Sequence, residues 1–178
     1  QDLYRGGGTR EDYDVGVRLE TGLQAPLGFE FDLHSTGQRY SDTTDPLLFT
    51  NRTDTAAMAA LFRLSAVTQA RLDLSNEGYT GENTTRTNRT TRRFTFGLDH
   101  EFSAITTLSA NIGHSEVVET FETLPGVENV TRGPVGALAL TRLVPNGSVS
   151  AALDTTISTV GRQTTLDFGR FIELPAGK

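Results

Sequence analysis

Arg92–Val118 reads RRFTFGLDHEFSAITTLSANIGHSEVV, an alternating pattern that breaks once and then resumes. Phe94, Phe96, Leu98, His100 and Phe102 share one parity, and Arg93, Thr95, Gly97, Asp99 and Glu101 share the other. A β-strand sends successive side chains to opposite faces, so this spacing predicts a strand with one apolar and one charged face. After the break, Thr106, Leu108, Ala110 and Ile112 alternate with Thr107, Ser109, Asn111 and Gly113. A hairpin loop over 103–105 sets Phe102 opposite Thr106, Leu98 opposite Ala110 and Phe96 opposite Ile112, and the two apolar parities then share a face. Such a face requires a cover, either protein or lipid.

The same reading extends in both directions. Tyr13, Val15, Val17, Leu19 and Thr21 alternate with Asp14, Gly16, Arg18 and Glu20, and Leu27, Phe29, Phe31 and Leu33 alternate with Gly28, Glu30, Asp32 and His34. A turn at 24–26 places Leu19 opposite Phe31 and Arg18 opposite Asp32. Met58, Ala60, Phe62 and Leu64 then precede Ala70, Leu72 and Leu74, and a turn at 67–69 aligns Leu64 with Leu72 and Arg63 with Asp73. Between Val135 and Leu143 both parities are apolar, so pattern alone assigns no face there. Pro145-Asn146-Gly147 is a strong turn signal, with Gly147 suited to a left-handed position. Val149, Ala151, Leu153, Thr155 and Ile157 follow, and after a break at 161–163 a last strand spans 164–174. The fold class expected is all-β, an antiparallel up-and-down meander of about nine long strands over residues 13–174. Residues 1–12, with Gly6-Gly7-Gly8, read as a flexible lead-in, and 175–178 as a truncated turn.

Short turns near residues 25, 68, 104 and 146 alternate with long polar segments at Thr36–Thr55, Glu77–Thr91 and Glu119–Arg132. That asymmetry predicts short turns on one side of the sheet and long loops on the other, as in a membrane-spanning up-and-down barrel. Sandwiches and soluble barrels mix turn lengths at both ends.

Composition bounds the function. Of 178 residues 36% are hydrophobic, and no apolar run approaches the roughly 18 residues of a transmembrane helix. A transmembrane barrel survives that test, because alternation dilutes the hydropathy of each strand. A net charge of -6 disfavours a phosphate-backbone binder, so no nucleic-acid partner is expected. With no cysteine there are no disulfides or thiolate metal sites.

RRFTFGLDHEFSAITTLSANIGHSE and RGPVGALALTRLVPNGSVSAALDTT resemble the paired strands of Gram-negative outer-membrane β-barrel proteins of the porin kind. The resemblance implies the cell outer membrane as location, the bilayer as partner, and passage of solutes, export of a polymer or an envelope scaffold as role. Barrels of this kind commonly have an even strand number and a last strand ending in an aromatic residue. About nine strands and an ending at Pro175-Ala176-Gly177-Lys178 therefore suggest a segment of a larger barrel, completed by further strands or partner chains. In that frame Arg18, Glu20, Glu30, Asp32, Arg63, Arg71, Asp73, Arg93, Asp99 and Glu101 are the expected lumen-facing residues. Val17, Leu19, Phe29, Phe31, Phe62, Leu72, Phe94, Phe96, Leu98, Leu108 and Ile112 are the expected lipid-facing ones. The competing class is a soluble or surface-exposed β-protein for adhesion or assembly, with the apolar parity packed on a second sheet.

No catalytic residue, cofactor or metal is expected. His114-Ser115-Glu116 has the residue types of an acyl hydrolase, but neighbours on a strand point to opposite faces. His34, His100 and His114 are scattered over three strands without ligand spacing. Glycosylation sequons, such as Asn83-Thr84-Thr85 and Asn129-Val130-Thr131, are incidental matches in a threonine-rich chain.

Overall fold

The computed structural model describes residues 8–22, 24–43, 45 and 47–172. Nine antiparallel strands form one sheet in chain order: β1 (Thr9–Thr21), β2 (Leu27–Ser41), β3 (Asn51–Arg63), β4 (Thr68–Gly81), β5 (Thr87–Ser103), β6 (Thr106–Phe121), β7 (Glu128–Val144), β8 (Gly147–Ser158) and β9 (Gly161–Ile172). The sheet is not closed: β1 and β9 each pair on one side only. The connections after β1, β3, β5 and β7 lie at one end and those after β2, β4, β6 and β8 at the other, but the expected contrast in length holds only in part: the β8–β9 turn, at the end expected to carry long loops, spans only 159–160, as short as 104–105 and 145–146.

The strands outrun the apolar pattern that revealed them. Most of the segments expected as long loops are ladder: Thr36 pairs with Asp14 and Thr53, Glu77 with Thr55 and Thr91, and Glu119 with Arg89 and Asn129. Backbone hydrogen bonds do not depend on side-chain hydropathy, and threonine is a favourable strand residue, so polar ends extend the pairing. The resulting strands run from 12 to 17 residues, against about 5 or 6 in ordinary globular sheets. The expected lead-in is likewise strand from Thr9, which pairs with Ser41; its earlier residues, and those at 173–178, lie outside the described residues.

Registers agree with expectation where the turn was placed correctly. Leu19 faces Phe31, Arg18 faces Asp32, Leu98 faces Ala110 and Phe96 faces Ile112. Phe102 does not face Thr106; a bulge between Glu101 and Ser103 tightens the loop to 104–105, and Ser103 takes that place. The β3–β4 turn sits at 64–67, so Leu72 faces Ala60 and Asp73 faces Ala59, while Arg63 faces Gln69. At Pro145-Asn146-Gly147 the left-handed residue is Asn146, with φ of 66°. Gly147 is required for another reason: a Cβ there would collide with the Phe171 carbonyl of β9.

The sheet curls around β7 and β8. Cα atoms of β6 and β8 approach within 8 Å across β7, and those of β7 and β9 across β8, whereas two strand spacings in a flat sheet amount to about 9.5 Å. Pro134 has no N–H to donate, and the β7–β8 ladder stops at Gly136 and Thr155, short of it. Beyond that point Ile157 joins Val117 and Val135 in a buried cluster. Each side chain so enclosed contributes about 1.5 to 3 kcal/mol.

Candidate functional site

The eight registers divide the side chains into two faces of opposite character. All ten residues expected on the charged parity, from Arg18 to Glu101, share one face of β1–β5. All eleven expected apolar residues, from Val17 to Ile112, share the other, and the register adds Leu138 and Leu140 of β7, Leu153 of β8 and Leu166 of β9 to it. The apolar face is the more exposed: Val17, Phe96 and Ile112 keep 66%, 47% and 67% of their surface open. The polar face is sheltered by the curl, and Ala59, Val117 and Val135 on it are buried.

Apolar residues do not fill the exposed face; they form an oblique band across it. The hydrogen-bonded row Val17, Leu33, Ala56, Asn76, Arg92, Glu116, Arg132 begins apolar and ends charged. Nearer the short turns, the row Thr68, His100, Leu108, Leu140, Ala151, Phe168 begins polar and ends apolar. The band therefore drifts toward the short-turn end from β1 to β9.

On the polar face, β1, β2 and β4 bring a charge network together. Glu30 accepts from Arg71 at 2.9 Å and lies 3.7 Å from Arg18, while Arg18 and Arg71 also reach Glu20 and Asp73 on their own strands at 2.6 and 2.5 Å. Only 16% of the Glu30 side chain is exposed. The network borders a depression of about 380 Å³ that Asp32, Arg93 and Thr95 also line. Arg18 stands opposite Asp32 in register, yet its ion pairs are with Glu20 and Glu30. Arg63 donates to the Gln24 carbonyl at 3.1 Å, because the earlier turn carries it away from Asp73. Asp99 accepts from Ser109 across β5 and β6.

The histidines stand apart. His34 lies 3.3 Å from Asp14 on the polar face, His100 is 2.8 Å from the Thr68 hydroxyl on the apolar face, and His114 faces Phe94 and Pro134. Ser115, next to His114, belongs to the opposite face, where it is fully buried with no partner for its hydroxyl among the described residues. Nothing in its local sequence marks that burial; the curl around β7 produces it. A buried hydroxyl without a hydrogen bond lowers stability, so Ser115→Ala is expected to be neutral or to raise stability by up to about 1 kcal/mol. Urea unfolding of the two proteins measures this, and a clear loss in the variant would mean that the hydroxyl is bonded. No family model, curated protein or solved structure matches the chain.

Proposed function

We propose that this chain forms part of the wall of an outer-membrane, porin-like β-barrel, with its apolar face toward lipid and its polar face toward an aqueous interior. Such a barrel passes solutes, exports a polymer or serves as an envelope scaffold. The observation that carries the reading is the oblique apolar band on the more exposed face. A bilayer is a flat slab, whereas barrel strands tilt by about 35 to 45° from the barrel axis, so a lipid-facing belt crosses hydrogen-bonded rows at an angle. Strands of 12 to 17 residues exceed the roughly 9 to 11 that span a bilayer. The apolar patch is also far more extensive than a water-facing protein surface ordinarily keeps.

The partners in this reading are the bilayer and further strands. With an odd number of strands, β1 and β9 run in the same direction, so pairing them directly would create a parallel seam. An odd number of additional antiparallel strands closes the ring without one and brings the total to an even number.

The test uses cysteine variants of the reconstituted protein, in which the native sequence contributes no thiol. Phe96→Cys is expected to react with a lipid-soluble reagent, and Thr95→Cys with a water-soluble one or with neither. Absence of lipid-phase reaction at both positions would end the membrane reading and leave the soluble or adhesive β-protein in its place.

A further inference from the structure

Charge on this sheet is sorted by face. From β6 to β9 the polar face carries Glu119, Asp154 and Asp167 and, among the described residues, no arginine. Arg132, Arg142, Arg162 and Arg170 all stand on the apolar face, beside the apolar band. The first five strands do place arginines on the polar face, but Arg18 and Arg71 are neutralised by Glu20, Glu30 and Asp73. Arg89 lies over the Tyr79 ring, 5.0 Å from its centroid. Arg93 has no ion pair among the described residues, and neither do Asp32, Glu77 and Glu101 on the same face. With Arg10, beside Asp12, and Arg63 counted as well, the polar face of the nine strands carries six guanidinium groups against twelve carboxylates.

Fixed charge of one sign on a concave, low-dielectric wall focuses its field into the enclosed water and changes the local concentration of ions by charge. At about 0.1 M salt the field reaches roughly 10 Å, comparable to the half-width of a small lumen. Resting on the proposed lumen assignment, we infer that this wall favours cationic solutes, tolerates neutral ones and turns back anions. A polyanionic polymer is thereby excluded as cargo. Arginines on the opposite face weaken the effect less than polar-face ones would, because they lie farther from the enclosed water.

Ala152 and Ala151 give adjacent positions on the two faces. Ala152 lies on the polar face opposite Asp167 and two residues from Asp154; Ala151 lies on the other, between Leu140 and Phe168. Ala152→Cys is expected to react with a trimethylammonium thiosulfonate at least about tenfold faster than with its sulfonate counterpart, relative to a free thiol in low salt. In molar salt the ratio should fall toward that of the free thiol. Ala151→Cys should show no cation preference. A ratio at Ala152→Cys equal to or below that of the free thiol overturns the inference whether or not the protein enters a membrane. In reconstituted bilayers under a salt gradient, the reversal potential should show cation preference; channels without it refute the charge inference and leave the barrel standing. Absence of lipid-phase labelling at Phe96→Cys refutes the barrel separately.

Discussion

An arginine in place of Phe96 is expected, on the proposed membrane reading, to cost the protein about 2 to 4 kcal/mol of stability in lipid vesicles, the cost of a charge near the middle of a bilayer on a barrel's outer face. Thr95→Arg, one residue earlier, should lose less than about 1 kcal/mol, as surface substitutions do. The contrast is informative because Phe96 keeps 47% of its surface open between Leu72 and Ile112. Few protein contacts are lost on replacing it, so what surrounds the sheet determines the cost. Thr95 points to the opposite face, opposite Asp73, where another cation meets carboxylates and water. Urea unfolding in vesicles measures both variants. Small and equal losses would show that no lipid touches the apolar face.

The second large effect is expected at Glu30. Removing its carboxylate with Glu30→Ala leaves Arg18 and Arg71, on β1 and β4 with β2 and β3 between them, without the group they share. Because that carboxylate is mostly enclosed and takes charge-assisted hydrogen bonding, the expected loss is about 2 kcal/mol. Asp32→Ala is the control, since Asp32 lies on the same strand and face without an ion pair among the described residues, and should change stability by less than about 0.5 kcal/mol. Part of the Glu30 effect belongs to the pair. Combining Glu30→Ala with Arg71→Ala should therefore cost about 1 kcal/mol less than the sum of the single losses. Strict additivity would mean that the ion pair contributes nothing to the fold.

Face assignment was legible from β1 to β6 because parity survives most errors of register. The β3–β4 turn was misplaced, which moved Leu72 from Leu64 to Ala60, yet both partners have the same parity. A shift by two residues keeps a side chain on its face; only a shift by one reverses it. The ion pairs were less legible. Arg18 was readable as belonging to the charged face, but its choice of Glu20 and Glu30 over Asp32 depends on side-chain directions that spacing does not encode.

Alternation by itself determined the all-β class, the antiparallel order, the sides on which the turns lie and the two faces of the first six strands. Those follow from local geometry, since each strand need only place successive side chains on opposite sides. The face of β7, apolar on both parities, was decided by its pairing with β6, which sets Leu138 against Ala110 and Leu140 against Leu108. The full strand lengths were decided by ladder hydrogen bonds that carry no hydropathy signal. The curl that buries Ser115 and gathers Val117, Val135 and Ile157 arose only when three strands met around Pro134. Curvature and the oblique course of the apolar band belong to the sheet as a whole, because each is a relation between neighbouring strands and neither is a property of any one of them.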